Sequence, residues 1–179
     1  MGPVRHVKDL VQTVCTVLCK TLTPAQAEEI LAVSRPRAVP AGNIVFREGE
    51  EGSGLFLLLE GSVEVVKQGP TSVAQQLATV EAPSVLGEMS LVSERRHSAT
   101  VRATRDCEFQ VLAREDFLRL LERDNLAAHK LVGAIAEVLA RRLRRMNETA
   151  MELLSRADAP PPMEELARFK QKLFSEWSF

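Results

Sequence analysis

Cysteine and histidine are scarce in this sequence, and their scarcity excludes several kinds of chemistry. Each occurs three times among 179 residues. An odd number of cysteines argues against a disulfide framework and is typical of a reducing compartment. His6, His97 and His129 show no metal-ligand spacing, and there is no CxxC pair. We therefore expect a cytoplasmic protein without a metal site.

Long apolar runs and a strong net charge are also missing. Residues 10–19 carry no charge, but this stretch is far shorter than the roughly 20 apolar residues of a membrane-spanning helix. Residues 1–8 show no secretory pattern. The formal net charge is −1, so no global field attracts nucleic acid or anionic lipid. We expect no membrane span.

The common catalytic motifs are absent as well. The sequence has no GxSxG, no GxxxxGK[ST] and no HExxH. Charged residues make up 26% and hydrophobic residues 45%, an ordinary balance for a globular protein. We expect a folded protein that is not an enzyme.

Glycine and proline divide the chain into zones. Seven of the nine glycines fall between Gly42 and Gly87, a distribution typical of short strands joined by tight turns. Proline is absent from residues 84–159, so the longest uninterrupted element should lie there.

The first zone, to about residue 35, has helical signals. An apolar stripe at three- and four-residue spacing predicts a first helix and consists of Val7, Leu10, Val11, Val14 and Leu18. Thr23, Pro24 and Gln26 match a capping box with proline at the first helical position. They predict a second helix from Pro24 to about Val33.

The middle zone contains short β-rich runs bounded by glycine, proline or charge. They predict six strands, at residues 44–46, 55–59, 62–66, 75–80, 99–103 and 108–112. So many short strands indicate a barrel or a sandwich.

The last zone is helical again. Residues 115–122 predict a short helix, and Asp124 or Asn125 is a suitable N-cap for a long helix reaching about Ala157. Three prolines at residues 160–162 end any helix and leave residues 163–179 as a tail.

Three stretches together resemble the cyclic nucleotide-binding domain family, the effector domain of catabolite activator-type regulators. The first comprises VPAG at 39–42, VFREGE at 45–50 and LFLLLEG at 55–61. The second is the cassette, residues 86–101, which contains LGEMSL and HSATV and resembles the family's phosphate-binding cassette. The third is LARRL at 139–143 in the long helix. The resemblance implies an α+β fold, an antiparallel, jelly-roll-like β-roll flanked by helices.

The resemblance also implies a domain organisation. N-terminal helices occupy residues 1–35, the β-roll residues 36–122, the long helix residues 123–157 and the tail residues 158–179. Too few residues follow the long helix for a winged helix, so we expect no direct DNA binding.

The cassette carries the implied ligand site. A carboxylate such as Glu88 accepts a hydrogen bond from a ribose hydroxyl in this family, and glycine allows close approach to the ligand. The implied ligand is cAMP or cGMP, with no metal. The implied contacts are Gly87, Glu88, Met89, Ser90, Arg95, Arg96, His97, Ser98, Ala99 and Thr100.

His97 departs from the family pattern. It lies nine residues after Glu88, where many members have an arginine that clamps the phosphate. Imidazole is mostly neutral at pH 7 and cannot make a bidentate fork. Either Arg95 or Arg96 supplies the guanidinium, or a bound phosphate holds His97 protonated, or the pocket no longer binds a nucleotide.

The long helix has a heptad seam. Its positions are Val132, Ala136, Leu139, Leu143, Met146, Ala150, Leu153 and Ala157. A second apolar stripe of Leu131, Ile135 and Val138 ends at Arg142. We predict that the second stripe leans on the β-roll and that the seam makes a homodimer; the alternative for the seam is pairing with the N-terminal helices of the same chain.

The tail has an unusual composition. Four of the eight aromatic residues lie in the last eleven positions. They form a helical stripe of Leu166, Phe169, Leu173, Phe174, Trp177 and Phe179. This stripe either docks on its own domain or binds a protein partner, and we favour the partner.

The resulting hypothesis is a non-enzymatic, cytoplasmic signalling module. It binds a cyclic nucleotide and relays this through its long helix or tail to an unidentified protein partner. The alternative is a ligand-independent, dimeric scaffold protein. A metalloenzyme on a similar barrel would need clustered histidines, which the sequence lacks.

Overall fold

The computed structural model describes residues 7–68, 74–93 and 96–155, with backbone only at 142, 146, 149, 150 and 152–155. Two four-stranded antiparallel sheets form its centre. The strand order is β1-β8-β3-β6 in one sheet and β2-β7-β4-β5 in the other. The strands are β1 (Arg35–Val39), β2 (Ile44–Phe46), β3 (Gly54–Glu60), β4 (Ser62–Gln68), β5 (Ala74–Glu81), β6 (Ser84–Leu86), β7 (Thr100–Ala103) and β8 (Cys107–Ala113).

Helices flank the first of these sheets. A turn of π-helix, Val14–Leu18, continues the first helix. The helices are α1 (Val7–Thr13), α2 (Pro24–Val33), α3 (Met89–Val92), α4 (Arg114–Glu122) and α5 (Leu126–Ser155). The jelly-roll-like β-roll with flanking helices confirms the predicted fold class.

Local signals explain where two of the helices begin. The Thr23 hydroxyl accepts from the Gln26 N–H at 3.3 Å, and the Gln26 carboxamide accepts from the Thr23 N–H at 3.1 Å. This is the predicted capping box, which satisfies two backbone donors at once. At the start of α5 the Asn125 side chain accepts from the Ala128 N–H at 3.0 Å, so Asn125 is the N-cap.

All six predicted strands are present, but two others were missed. β1 pairs with β8 at the edge of its sheet, and four of its five residues are exposed. It contains Pro36, which is tolerated on an edge strand and hides the strand pattern. β6 is only three residues long and entirely buried. Neither strand shows the alternation of apolar and polar residues from which a strand is recognised.

β3 separates two hydrophobic cores. Phe56 and Leu58 belong to the core between the sheets. Leu55, Leu57 and Leu59 belong to the core between the first sheet and the helices. Because successive side chains of a strand point to opposite faces, one apolar strand serves both cores.

The long helix packs on the core between the first sheet and the helices. Leu131, Ile135 and Val138 are buried, as the second apolar stripe predicted. Contacts with α2, α3 and α4 line this face of α5. The Lys130 ammonium also donates to the Thr21 carbonyl and to the Gln26 carboxamide, each at 2.8 Å. The first half of α5 is therefore held by its own chain.

Substitutions on the two faces of β3 test the two-core arrangement. We expect Leu57→Ala and Leu58→Ala each to lower the free energy of unfolding by about 2–5 kcal/mol, because each leaves a cavity in a different core. The matched control is Leu126→Ala, since Leu126 is 59% exposed; it should change stability by less than about 0.5 kcal/mol. Urea unfolding measures all three, and a tolerated change at either β3 position would contradict the arrangement.

Candidate functional site

Two glycines bring the end of β6 against the start of β3. Gly87 has φ of +72°, and a Cβ atom there would lie 2.6 Å from the Gly54 carbonyl oxygen. Gly54 has φ of +141° and approaches the Leu112 carbonyl so closely that it also has no room for a side chain. Glycine is required at both positions because other residues avoid such backbone angles. The cassette backbone is thus seated on the central strand.

A buried carboxylate follows this contact. Glu88 is 2% exposed and precedes α3, a single helical turn. Ser90, in that turn, is 3% exposed. A carboxylate and a hydroxyl held inside the protein are groups that bind hydroxyls or other polar ligand atoms.

The opposite wall of the cassette is built around His97. Its imidazole stacks on the Phe46 ring with centroids 3.9 Å apart and planes at 12°. Its Nε2 lies 3.3 Å from the Ser53 hydroxyl and 3.4 Å from the Ser53 backbone N, which donates to it. Burial lowers the pKa of His97, and the nearby charge of Glu50 opposes this shift only in part. The imidazole is therefore neutral near pH 7.

The two walls enclose a cavity of about 160 Å³. Its lining combines one buried acid, one guanidinium, hydroxyls and apolar groups. The lining residues are Phe46, Gly87, Glu88, Met89, Ser90, Ser93, Arg96, His97, Ser98 and Ala99. Such a set suits a small ligand that carries both a negative charge and hydroxyl groups.

Most of the cassette residues singled out from sequence come together here. Eight of the ten line the cavity. Thr100 does not; its hydroxyl accepts from the Glu48 N–H at 3.0 Å and so ties β7 to the loop after β2. Arg95 lies outside the described residues.

Two cavity residues and one loop were not identified from sequence. Phe46 and Ser93 line the cavity. The β2–β3 loop, residues 47–53, contributes Ser53 beside His97. Phe46 reads as an ordinary core aromatic, and no local pattern shows that it stacks on a side chain 51 positions away.

The proposed dimer seam divides into three parts. Val132 and Leu139 are partly buried against their own domain. Ala136 is exposed, and Leu143 is 59% exposed. The side chains of Met146, Ala150 and Leu153 and all of residues 156–179, which include Ala157 and the aromatic tail, lie outside the described residues.

The described residues form neither a metal site nor a membrane-spanning helix. In the described part of the chain, no group of three or more histidine, cysteine, aspartate or glutamate side chains could hold a metal ion. None of the helices described there is both long enough and apolar enough to cross a membrane.

Comparisons with known proteins bear on this cavity. The cyclic nucleotide-binding domain family matches residues 36–124. The chain is 35% identical over 138 residues to the cyclic AMP receptor protein of Thermus thermophilus, an alignment covering 77% of this chain and 62% of that protein. It is 36% identical over 103 residues to a cyclic nucleotide-gated potassium channel of Mesorhizobium japonicum, covering 58% of this chain and 27% of the channel.

Solved structures share the fold. The crystal structure of a cyclic nucleotide-binding domain from Methylobacillus flagellatus matches with a TM-score of 0.71 at 22% identity, covering 88% of this chain and 86% of that one. The chain spans less than two thirds of the length of the Thermus receptor protein and of the Mesorhizobium channel. The matched residues 36–124, the β-roll and the cassette cavity together show that this chain belongs to the cyclic nucleotide-binding domain family.

Proposed function

We propose that this chain is a non-enzymatic regulatory module that binds a cyclic nucleotide, cAMP or cGMP, in the cassette cavity. The observation that carries this proposal is the presence of buried Glu88 and the guanidinium of Arg96 on one cavity. A cyclic nucleotide is a compact monoanion with a ribose hydroxyl. A carboxylate accepts from the hydroxyl, and a guanidinium pairs with the phosphate.

The relatives support the same class of ligand. One is named a cyclic AMP receptor protein and another a cyclic nucleotide-gated channel. Both names describe proteins that respond to a cyclic nucleotide. The described cysteines are all free thiols, which supports a cytoplasmic location as part of the proposal.

The alternative function is a ligand-independent, dimeric scaffold. One observation favours it: His97, at the position where the family often has arginine, is held between Phe46 and Ser53. A neutral imidazole makes a weaker phosphate contact than a guanidinium. Nucleotide titration separates the two functions.

The proposed signal runs from the cavity to the long helix. Met89 and Ser90 line the cavity and lie in α3, which packs against α5. Occupation of the cavity would shift α3 and with it α5, and a protein partner would detect the change through α5 or the tail. The tail's partner role rests on its aromatic stripe, residues 166–179.

We also propose that the chain is a homodimer through its seam. Ala136 and Leu143 present an exposed apolar strip on a helix whose other apolar stripe is already buried. A heptad pattern of this kind is covered by a second helix in a coiled coil.

Replacing Glu88 tests ligand binding. We expect Glu88→Ala to weaken binding of cAMP or cGMP by about 1–3 kcal/mol, because the ribose hydroxyl loses its acceptor. Calorimetric titration measures the affinity, and thermal melting establishes that the variant is folded. The control is Glu64→Ala, which removes a carboxylate paired with Arg102 outside the cavity. Absence of heat with millimolar cAMP and cGMP for the wild type would support the scaffold function instead.

Charges placed on the seam test the dimer. We expect the double variant Ala136→Glu, Leu143→Glu to be a monomer, because association would bury unpaired carboxylates. Arg141→Glu is the control, since Arg141 lies on another exposed face of α5 and should leave the dimer intact. Light scattering at tens of micromolar gives the mass. A monomeric wild type at that concentration would contradict the seam.

Hydrogen exchange tests the relay. We expect saturating cAMP to change amide exchange in residues 126–139 as well as in the cassette, because α3 belongs to the cassette and packs against α5. The Glu88→Ala variant at the same cAMP concentration is the control and should show a smaller change. Changes confined to residues 86–101 would contradict a relay through α5.

A further inference from the structure

A single described cation faces the cassette cavity. Arg96 lines it, and no other arginine or lysine of the described residues does. Its Nη1 donates to the Gly49 carbonyl at 2.7 Å, which fixes one edge of the guanidinium. A guanidinium has five N–H donors in a rigid fork, so a fixed arginine can still offer a pair of donors to an anion.

The imidazole of His97 binds the β2–β3 loop as a neutral ring. Its Nε2 accepts from the Ser53 N–H, which requires the neutral ring with the proton on Nδ1. His97 is 6% exposed, and its ring is stacked on Phe46. The charged groups around it are Glu50 in the β2–β3 loop and Glu88 and Arg96 in the cassette. Burial keeps the ring neutral among them.

The backbone of His97 binds the same loop. The Gly49 N–H donates to the His97 carbonyl, and the His97 N–H donates to the Glu50 carbonyl, each at 2.9 Å. The backbone of His97 therefore holds the middle of the β2–β3 loop, at Gly49 and Glu50, and its ring holds the end of the loop at Ser53. This is the loop whose Gly49 carbonyl orients Arg96.

We propose that Arg96 is the residue that pairs with the phosphate of the bound nucleotide and that His97 is a positioning residue acting through it. His97 holds the β2–β3 loop, the loop presents the Gly49 carbonyl, and this carbonyl fixes one edge of the Arg96 guanidinium, whose other donors would meet the phosphate. The proposal rests on nucleotide binding as the function of the cavity. It transfers the phosphate contact to the residue preceding His97.

Substitutions at Arg96 test whether this residue pairs with the phosphate. We expect Arg96→Ala to lower the affinity for cAMP or cGMP by about 10- to 150-fold, as loss of a charge-assisted contact does. Arg96→Lys keeps the charge but not the fork of donors, so its affinity should lie between those of the wild type and of Arg96→Ala. Arg102→Ala is the matched control, because Arg102 pairs with Glu64 outside the cavity. Its affinity should equal that of the wild type.

A double-mutant cycle tests whether His97 acts through Arg96. His97→Gln keeps a neutral acceptor for the Ser53 N–H and should retain most of the nucleotide affinity. His97→Leu has no acceptor and should lose nucleotide affinity. In the Arg96→Ala background, His97→Leu should change the affinity by less than about twofold, because its effect passes through Arg96. His129→Leu, at an exposed position of α5, controls for loss of a histidine. Thermal melting of each variant separates misfolding from lost affinity.

The outcomes distinguish this proposal from the proposed function. Wild-type binding that Arg96→Ala leaves unchanged overturns the phosphate role of Arg96 while nucleotide binding stands. Additive losses from Arg96→Ala and His97→Leu overturn the positioning role, because they would mean that His97 contacts the nucleotide by itself. Absence of binding by the wild type to both nucleotides overturns the proposed function, and the assignment of Arg96 with it.

Discussion

The burial of both faces of β3 is the constraint on which the rest of this structure depends. Six of its seven residues are buried, and five of these lie alternately in the core between the sheets and in the core under the helices. Each core includes side chains from one face of β3, so the two cores share this strand. The sandwich and the helical layer are thus one cooperative unit rather than two stacked parts.

The position of the cavity follows from this strand. Gly54 begins β3 and touches Gly87, so the cassette is seated where the strand starts. The same cassette continues into α3, which packs on α5. A ligand in the cavity therefore lies one short helical turn away from the longest element of the molecule. The proposed relay rests on this contact between α3 and α5.

The electrostatics of the cavity depend on contacts across the β2–β3 loop. A histidine that protein contacts keep neutral cannot serve as a permanent cation. Its stacking on Phe46 and its bonds to the loop give it a structural use instead. The guanidinium of Arg96, the preceding residue, is the cation that lines the cavity among the described residues.

Local signals in the sequence were enough to determine most elements. The capping box at Thr23, the β-rich runs and the N-cap at Asn125 act within a few residues, and the structure contains the elements that they predicted. The cassette motif was equally readable, since eight of its ten singled-out residues line one cavity.

Tertiary structure alone decided how those elements work together. β1 is a strand because it pairs with β8, more than 60 positions away, and not because of its own residues. His97 meets Phe46, Gly49 and Ser53 only after the sheets close, so neither its neutral state nor the orientation of Arg96 could be derived from spacing. The start of a helix is set by interactions within one or two turns of the chain. The charge of a buried side chain is set by whatever the fold packs around it.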